Sequence, residues 1–110
     1  MMEWRASGII LAKRRDKAAL RLAIKTNNLH FMGLRAVGPR LIPCVCRDRA
    51  LVNRLARMVQ RRDLICVSGT IEHCARPNNP IIKHDLELRV RAASAPRRLN
   101  RVRQLLRLEF

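Results

Sequence analysis

The sequence predicts a small all-β (mainly β) domain: a five-stranded barrel with a helix between strands 3 and 4 and a C-terminal helix. Three observations predict it. Apolar and polar residues alternate with a period of two over 20–25 and again over 86–92, the mark of half-buried strands. One interior stretch, 48–60, changes to helical periodicity. Gly8 and Gly69 interrupt apolar runs where a curling sheet needs a bend or bulge. The 110 residues suit one domain, and a hydrophobic content of 48% separates the chain from charged disordered tails.

The first strand covers residues 4–12, followed by a charged turn at 13–17. In the second, Leu20, Leu22 and Ile24 alternate with Arg21, Ala23 and Lys25, and Thr26-Asn27-Asn28 ends it. A loop with His30, Phe31, Gly33, Gly38 and Pro39 runs on to Arg40. The third strand is 41–47, with Pro43 marking an edge or an irregular start. Leu51, Val52, Leu55, Ala56, Met58 and Val59 then form a helical stripe, which Asp48 is placed to cap and 61–63 to close. Residues 64–71 are the most apolar strand, 73–83 a loop, and 86–92 the fifth strand. Residues 1–95 form the domain. Residues 96–110 are a basic amphipathic tail with Pro96 at the first position of a helix.

Five strands with a helix after the third is the order of an oligonucleotide-binding (OB) barrel, whose 1–2 and 4–5 loops flank a binding face. A ferredoxin-like fold would need a helix after strand one, where only the turn 13–17 stands. Two segments carry a resemblance: Leu22-Ala23-Ile24-Lys25-Thr26-Asn27, and residues 62–71, in which Asp63 and Gly69 fall in register and Arg62 replaces a glycine. Over residues 4–93 the chain resembles bacterial-type single-stranded DNA-binding (SSB) proteins. In its short length and missing acidic tail it is most similar to the primosomal replication PriB proteins. The resemblance implies single-strand binding in DNA replication or RNA processing, and joined barrels as a homodimer or larger homo-oligomer.

Charge agrees with a polyanionic partner. Lys and Arg number 24 against 8 Asp and Glu, a formal charge of +16, and 20 of the 24 are arginine. Guanidinium groups pair with phosphate and stack on bases, so this arginine-rich balance points to nucleic acid ahead of an acidic protein or membrane surface. Single-strand binding asks for cations along the phosphates and flat groups for the bases. The candidate nucleic-acid-binding cations are Arg14, Arg15 and Lys17 in the first turn, Arg21 and Lys25 on strand two, Arg76 and Lys83 on the 4–5 loop, and Arg89 and Arg91 on strand five. Trp4 and Phe31 are the candidate stacking aromatics. Leu99, Val102, Leu105 and Leu106 form the candidate partner-binding stripe of the tail.

Other functions fit less well. No apolar run is long enough for a membrane span. The chain lacks GxSxG, HExxH and P-loop motifs, and its acids are scattered, so it reads as non-enzymatic, with no catalytic residues and no cofactors. Cys44-x-Cys46 lacks the usual zinc spacing, so no metal is expected, and Cys66 reads as a small buried apolar residue. Residues 1–15 have no long apolar core, so reduced thiols and an intracellular site are expected, in cytoplasm, nucleoid or organelle matrix. The alternative function is an OB-fold structural or interaction subunit of a larger nucleoprotein complex, with protein contacts dominant. The shortage of aromatics favours it.

Overall fold

The computed structural model describes residues 2–75 and 84–98. In chain order the elements are β1 (Glu3–Asp16), β2 (Ala19–Phe31), β3 (Leu34–Ala36), β4 (Arg40–Cys46), α1 (Arg49–Met58), β5 (Leu64–Ala75) and β6 (His84–Ala93). Strands lie in the order β1-β5-β6-β4-β2-β3, and β1 also pairs with β2, which closes the five long strands into an OB barrel. The closure between β4 and β6 is parallel and rests on one residue pair, Val45 with Arg89. Beside it the Arg47 guanidinium meets the Glu87 carboxylate at 2.6 Å. That ion pair clasps the seam where backbone pairing is thinnest.

Two features of the expected order are corrected. Part of the loop expected between Asn28 and Arg40 is strand: β2 runs on to Phe31, and β3 pairs Leu34, Arg35 and Ala36 with Phe31, His30 and Leu29. The helix therefore lies between the fourth and fifth strands of the chain. The predicted C-terminal helix does not begin at Pro96, and α1 is the one helix among the described residues. Arg97 instead forms an antiparallel bridge with Leu64, each N–H donating to the other's carbonyl at 2.8 and 2.9 Å. The first of those strand-type bonds occupies the Arg97 carbonyl, which a first helical turn would need as an acceptor. The stripe Leu99, Val102, Leu105 and Leu106 lies outside the described residues.

Period-two burial builds the core. Trp4, Ala6 and Ile10 of β1, Leu20, Leu22 and Ile24 of β2, and Ile65 and Val67 of β5 all point inward. Leu51, Val52 and Leu55 of α1, with Val59 after it, join them from one end of the barrel. The Asp48 carboxylate caps the helix by accepting the Leu51 N–H at 2.9 Å. The Lys13 ammonium donates to the Ala56 and Val59 carbonyls at 3.1 and 2.7 Å, a cation at the helix's negative end.

Both expected bends fall at register shifts. A Cβ on Gly8 would stand 2.2 Å from the Lys25 carbonyl oxygen, and one on Gly69 would stand 1.7 Å from that of Arg89. Neither site has room for any side chain. The turn into β5 is less well served, because Arg62 has φ +74°, a conformation that glycine adopts at little cost. Arg62→Gly is expected to stabilise the domain by about 0.5–1 kcal/mol, roughly 2–8 °C in Tm by thermal melting. An unchanged or lower Tm would show that the arginine side chain compensates for its backbone.

Candidate nucleic-acid interface

The hairpin of β1 and β2 organises the site through its register. Residues 5, 7 and 9 of β1 alternate with inward Trp4, Ala6, Gly8 and Ile10, so they face out. Across β2, Arg5 pairs with His30, Ile9 with Lys25, and Arg14 with Arg21. Across β3, His30 pairs in turn with Arg35. One outer face thus carries Arg5, His30 and Arg35 in a row, Lys25 further along, and Arg14 beside Arg21. Directly opposed like charges on a sheet destabilise it unless something neutralises them. Two acids meet this face: Glu3, exposed two residues before Arg5, and Asp16, 3.3 Å from Arg21 with both side chains 44% exposed, so that pair is weak.

Bulges set where the face turns. Opposite Gly8 the Thr26 hydroxyl donates to the Ser7 carbonyl and accepts the Asn28 N–H at 2.9 Å. The Asn28 amide donates to the Ser7 hydroxyl at 3.0 Å. The irregular backbone is thereby satisfied, and a cleft of about 350 Å³ opens at this point, lined by Ser7, Ile9, Lys25, Asn27 and Pro39 among others. A larger cleft of about 690 Å³ lies along the β4–β6 seam. Phe31, Pro43, Val45, Ile71, Leu86 and Leu88 line it, and Arg21 joins it to the basic face.

The expected site residues divide accordingly. Arg14, Arg21 and Lys25 share the outer face, and Phe31 is half-buried in the seam cleft. Arg15 is exposed but points to the helix side, its guanidinium 3.4 Å from the Asn53 side-chain oxygen. Lys17 sits exposed at the hairpin tip with φ +56°. Trp4 is 2% exposed in the core, so its ring has no free face for a base. Arg89 and Arg91 share a face as expected, yet Glu72 binds both and Glu87 also binds Arg89, so their charge is locally neutralised. Arg76 and Lys83 lie outside the described residues. Arg5 and Arg35 belong with the face. Arg5 was legible from the alternation around it, whereas Arg35 depended on the unexpected β3.

The carboxylates of this network are tuned toward the charged form. Glu72 lies below its ordinary range, chiefly through the Thr70 hydroxyl and then the Arg91 and Arg89 guanidiniums. Burial pushes Glu87 up, but the Arg47 hydrogen bond and charge, with Arg89, outweigh it and leave it lowered. The thiols behave oppositely. Burial, with Cys46 beside it, pushes Cys44 up to about 12, and burial also raises Cys46. Cys66, expected inside, is exposed because it alternates with inward Ile65 and Val67. Iodoacetamide at pH 8 is expected to modify Cys66 in the folded protein and to reach Cys44 and Cys46 only in denaturant, as read by mass spectrometry. Native-state labelling of Cys44 would mean that the barrel seam opens.

Among the described residues no three His, Cys, Asp or Glu side chains gather as a metal-holding group. No helix among them is long and apolar enough to cross a membrane. No protein-family model matches the chain, and no curated protein sequence matches it. Solved structures do resemble it. The mitochondrial single-stranded DNA binding protein Rim1 of S. cerevisiae superposes with a TM-score of 0.63 at 11% identity, over 87% of this chain and 93% of that one. The Plasmodium falciparum SSB in complex with ssDNA gives 0.59 at 11% identity, over 86% and 91%. The small single-stranded DNA-binding protein of Streptomyces coelicolor gives 0.52 at 14% identity, over 90% and 94%. At such identities the likeness establishes the fold: the chain shares the OB barrel of these single-stranded-DNA-binding proteins, and PriB is not singled out among them.

Proposed function

We propose that this chain binds single-stranded nucleic acid without sequence readout, along the outer face of β1, β2 and β3 and into the seam cleft. The observation that carries the reading is the excess of cations on that face, Arg5, Arg14, Arg21, Lys25 and Arg35 against Glu3 and the weakly paired Asp16, with Arg14 directly opposed to Arg21. A polyanion across such an array relieves its mutual repulsion and is attracted by its field. Phosphates lie on Arg5, Arg14, Arg21, Lys25 and Arg35, and bases turn toward Phe31 and the apolar walls of the cleft. The fold shared with single-stranded-DNA-binding proteins supports the same reading, and its place of action is then a nucleoid or an organelle matrix. Fluorescence anisotropy of a labelled 30-mer tests it. Affinity for single strands above duplex, weakening steeply with salt, is expected. Equal weak binding to both, gone near 0.15 M salt, would overturn it.

A second reading, an interaction subunit of a nucleoprotein complex, is favoured by Met32, Leu34, Val37 and Leu41, which are 62–88% exposed around the free edge of β3. Joining of copies or of a partner protein belongs to that edge.

A further inference from the structure

The excess charge is not used up by the sheet face. Arg89, Arg91 and Arg47 are matched by Glu72 and Glu87, and Arg98 by the buried Asp63. A second set of arginines lies at the helix end of the barrel. Arg49 and Arg57 are exposed on α1, Arg61 and Arg62 on the turn that follows, and Arg97 is brought beside that turn by its bridge to Leu64. Among the described residues none of these five meets a carboxylate. The acid of the helix, Asp48, turns its carboxylate to the Leu51 N–H, and the first turn holds no acid.

Part of this arrangement works against the helix itself, although Arg57 in the last turn suits the dipole. Arg49 stands at the positive end of the helix dipole, and Arg54 and Arg57 are like-charged neighbours at three-residue spacing. Two of the side chains are nevertheless braced. Arg57 donates through Nε to the Asn53 carbonyl at 3.3 Å, which leaves its terminal amino groups outward, and Arg54 donates to the Ala93 carbonyl at 3.3 Å. Guanidinium forks braced by one bond and free of acids are suited to phosphate oxygens.

The surface is distinct from the sheet face. Lys13 and Arg15 of β1 contact α1, whereas Arg14, between them, pairs with Arg21 on the opposite side of the hairpin. The hairpin therefore separates two basic surfaces. We infer that α1 and the Arg61-Arg62 turn bind the phosphate backbone of a second nucleic-acid segment, so that one protomer bridges two segments. The inference rests on the preceding reading only for the class of polymer bound.

The test uses energy transfer between donor- and acceptor-labelled, non-complementary 30-mers mixed with the full chain, beside anisotropy of a labelled 10-mer. The wild type is expected to give transfer. R49S/R57S/R61S is expected to bind the 10-mer within about twofold of wild type, to melt no lower, and to lose transfer at least fivefold. Undiminished transfer in that variant would overturn the inference, since bridging would then come from joined copies. So would a wild type that binds both 30-mers without transfer. Polyglutamate that abolishes transfer as effectively as unlabelled oligonucleotide would assign the surface to an acidic protein and overturn it too. A duplex acceptor in place of the single strand shows which form of backbone is taken. Failure of the preceding reading shows separately, as 10-mer affinity that survives substitution of Arg14, Arg21, Lys25 and Arg35.

Discussion

Replacing Arg14, Arg21, Lys25 and Arg35 together with serine is expected to weaken single-strand binding by about 500-fold at 0.1 M salt. The size follows from counterion release. Each phosphate contact on a single strand contributes about 0.7 to the slope of log K against log salt. Four contacts therefore contribute about 2.8, and at one decade below 1 M salt they are worth about 2.8 decades of affinity. The slope itself should fall by roughly 3, a readout that misfolding does not imitate. Folding should not suffer, because Arg14 and Arg21 face each other as like charges and only the weak Asp16 contact is lost. The control is R89Q/R91Q/E72Q, which removes a neutralised cluster as a unit and is expected to change affinity by less than about fivefold. Equal losses in both variants would move the path of the strand onto β5 and β6.

The contrast between those two clusters shows what the sequence could and could not reveal. Alternation placed Arg21 and Lys25 on one face of strand two and Arg89 and Arg91 on one face of strand five, with the two pairs expected in one stripe; each pair does share a face. It could not show that Glu72 lies across from Glu87 in the β5–β6 register, within reach of both Arg89 and Arg91. Pairing partners in a barrel are distant along the chain, and no local period encodes them. The bends at Gly8 and Gly69 were legible because a missing side chain is a local property, and the Asp48 cap was legible for the same reason. The strand β3 was not: Leu34 is 74% exposed and Arg35 is exposed, so there is no buried alternation to read. Its position depends on hydrogen bonds to the far end of β2. The start of the tail misled in the opposite way. Pro96 reads as the first position of a helix, but Arg97 finds a strand partner in Leu64 that is far away in sequence.

Trp4 offers the sharpest decision between core and site, and the larger expected loss of stability. Its indole N–H donates to the Thr70 carbonyl at 3.1 Å and to the Arg89 carbonyl at 3.2 Å. Both oxygens flank the bulge at Gly69, where the missing Cβ lets the Arg89 backbone approach. The tryptophan thus fills the barrel and satisfies the carbonyls that the bulge brings together. Trp4→Ala is expected to cost about 3–5 kcal/mol, enough to unfold a marginal domain. Trp4→Phe keeps most of the volume but leaves the two carbonyls short of a donor, a cost of about 1–3 kcal/mol, or a Tm lower by roughly 4–20 °C. In the folded range, however, Trp4→Phe should shift single-strand affinity by less than about twofold, and added oligonucleotide should not quench the emission of this sole tryptophan. A stacking role predicts the reverse: little loss of stability, strong quenching, and a binding penalty of about 1–3 kcal/mol on Trp4→Ala where it still folds. Phe31→Ala, at the mouth of the seam cleft, is where that binding penalty belongs. If the penalty appears at Trp4 and not at Phe31, the β1 strand must release its first turn to admit a base. The cleft between β4 and β6 would then lose its part in binding.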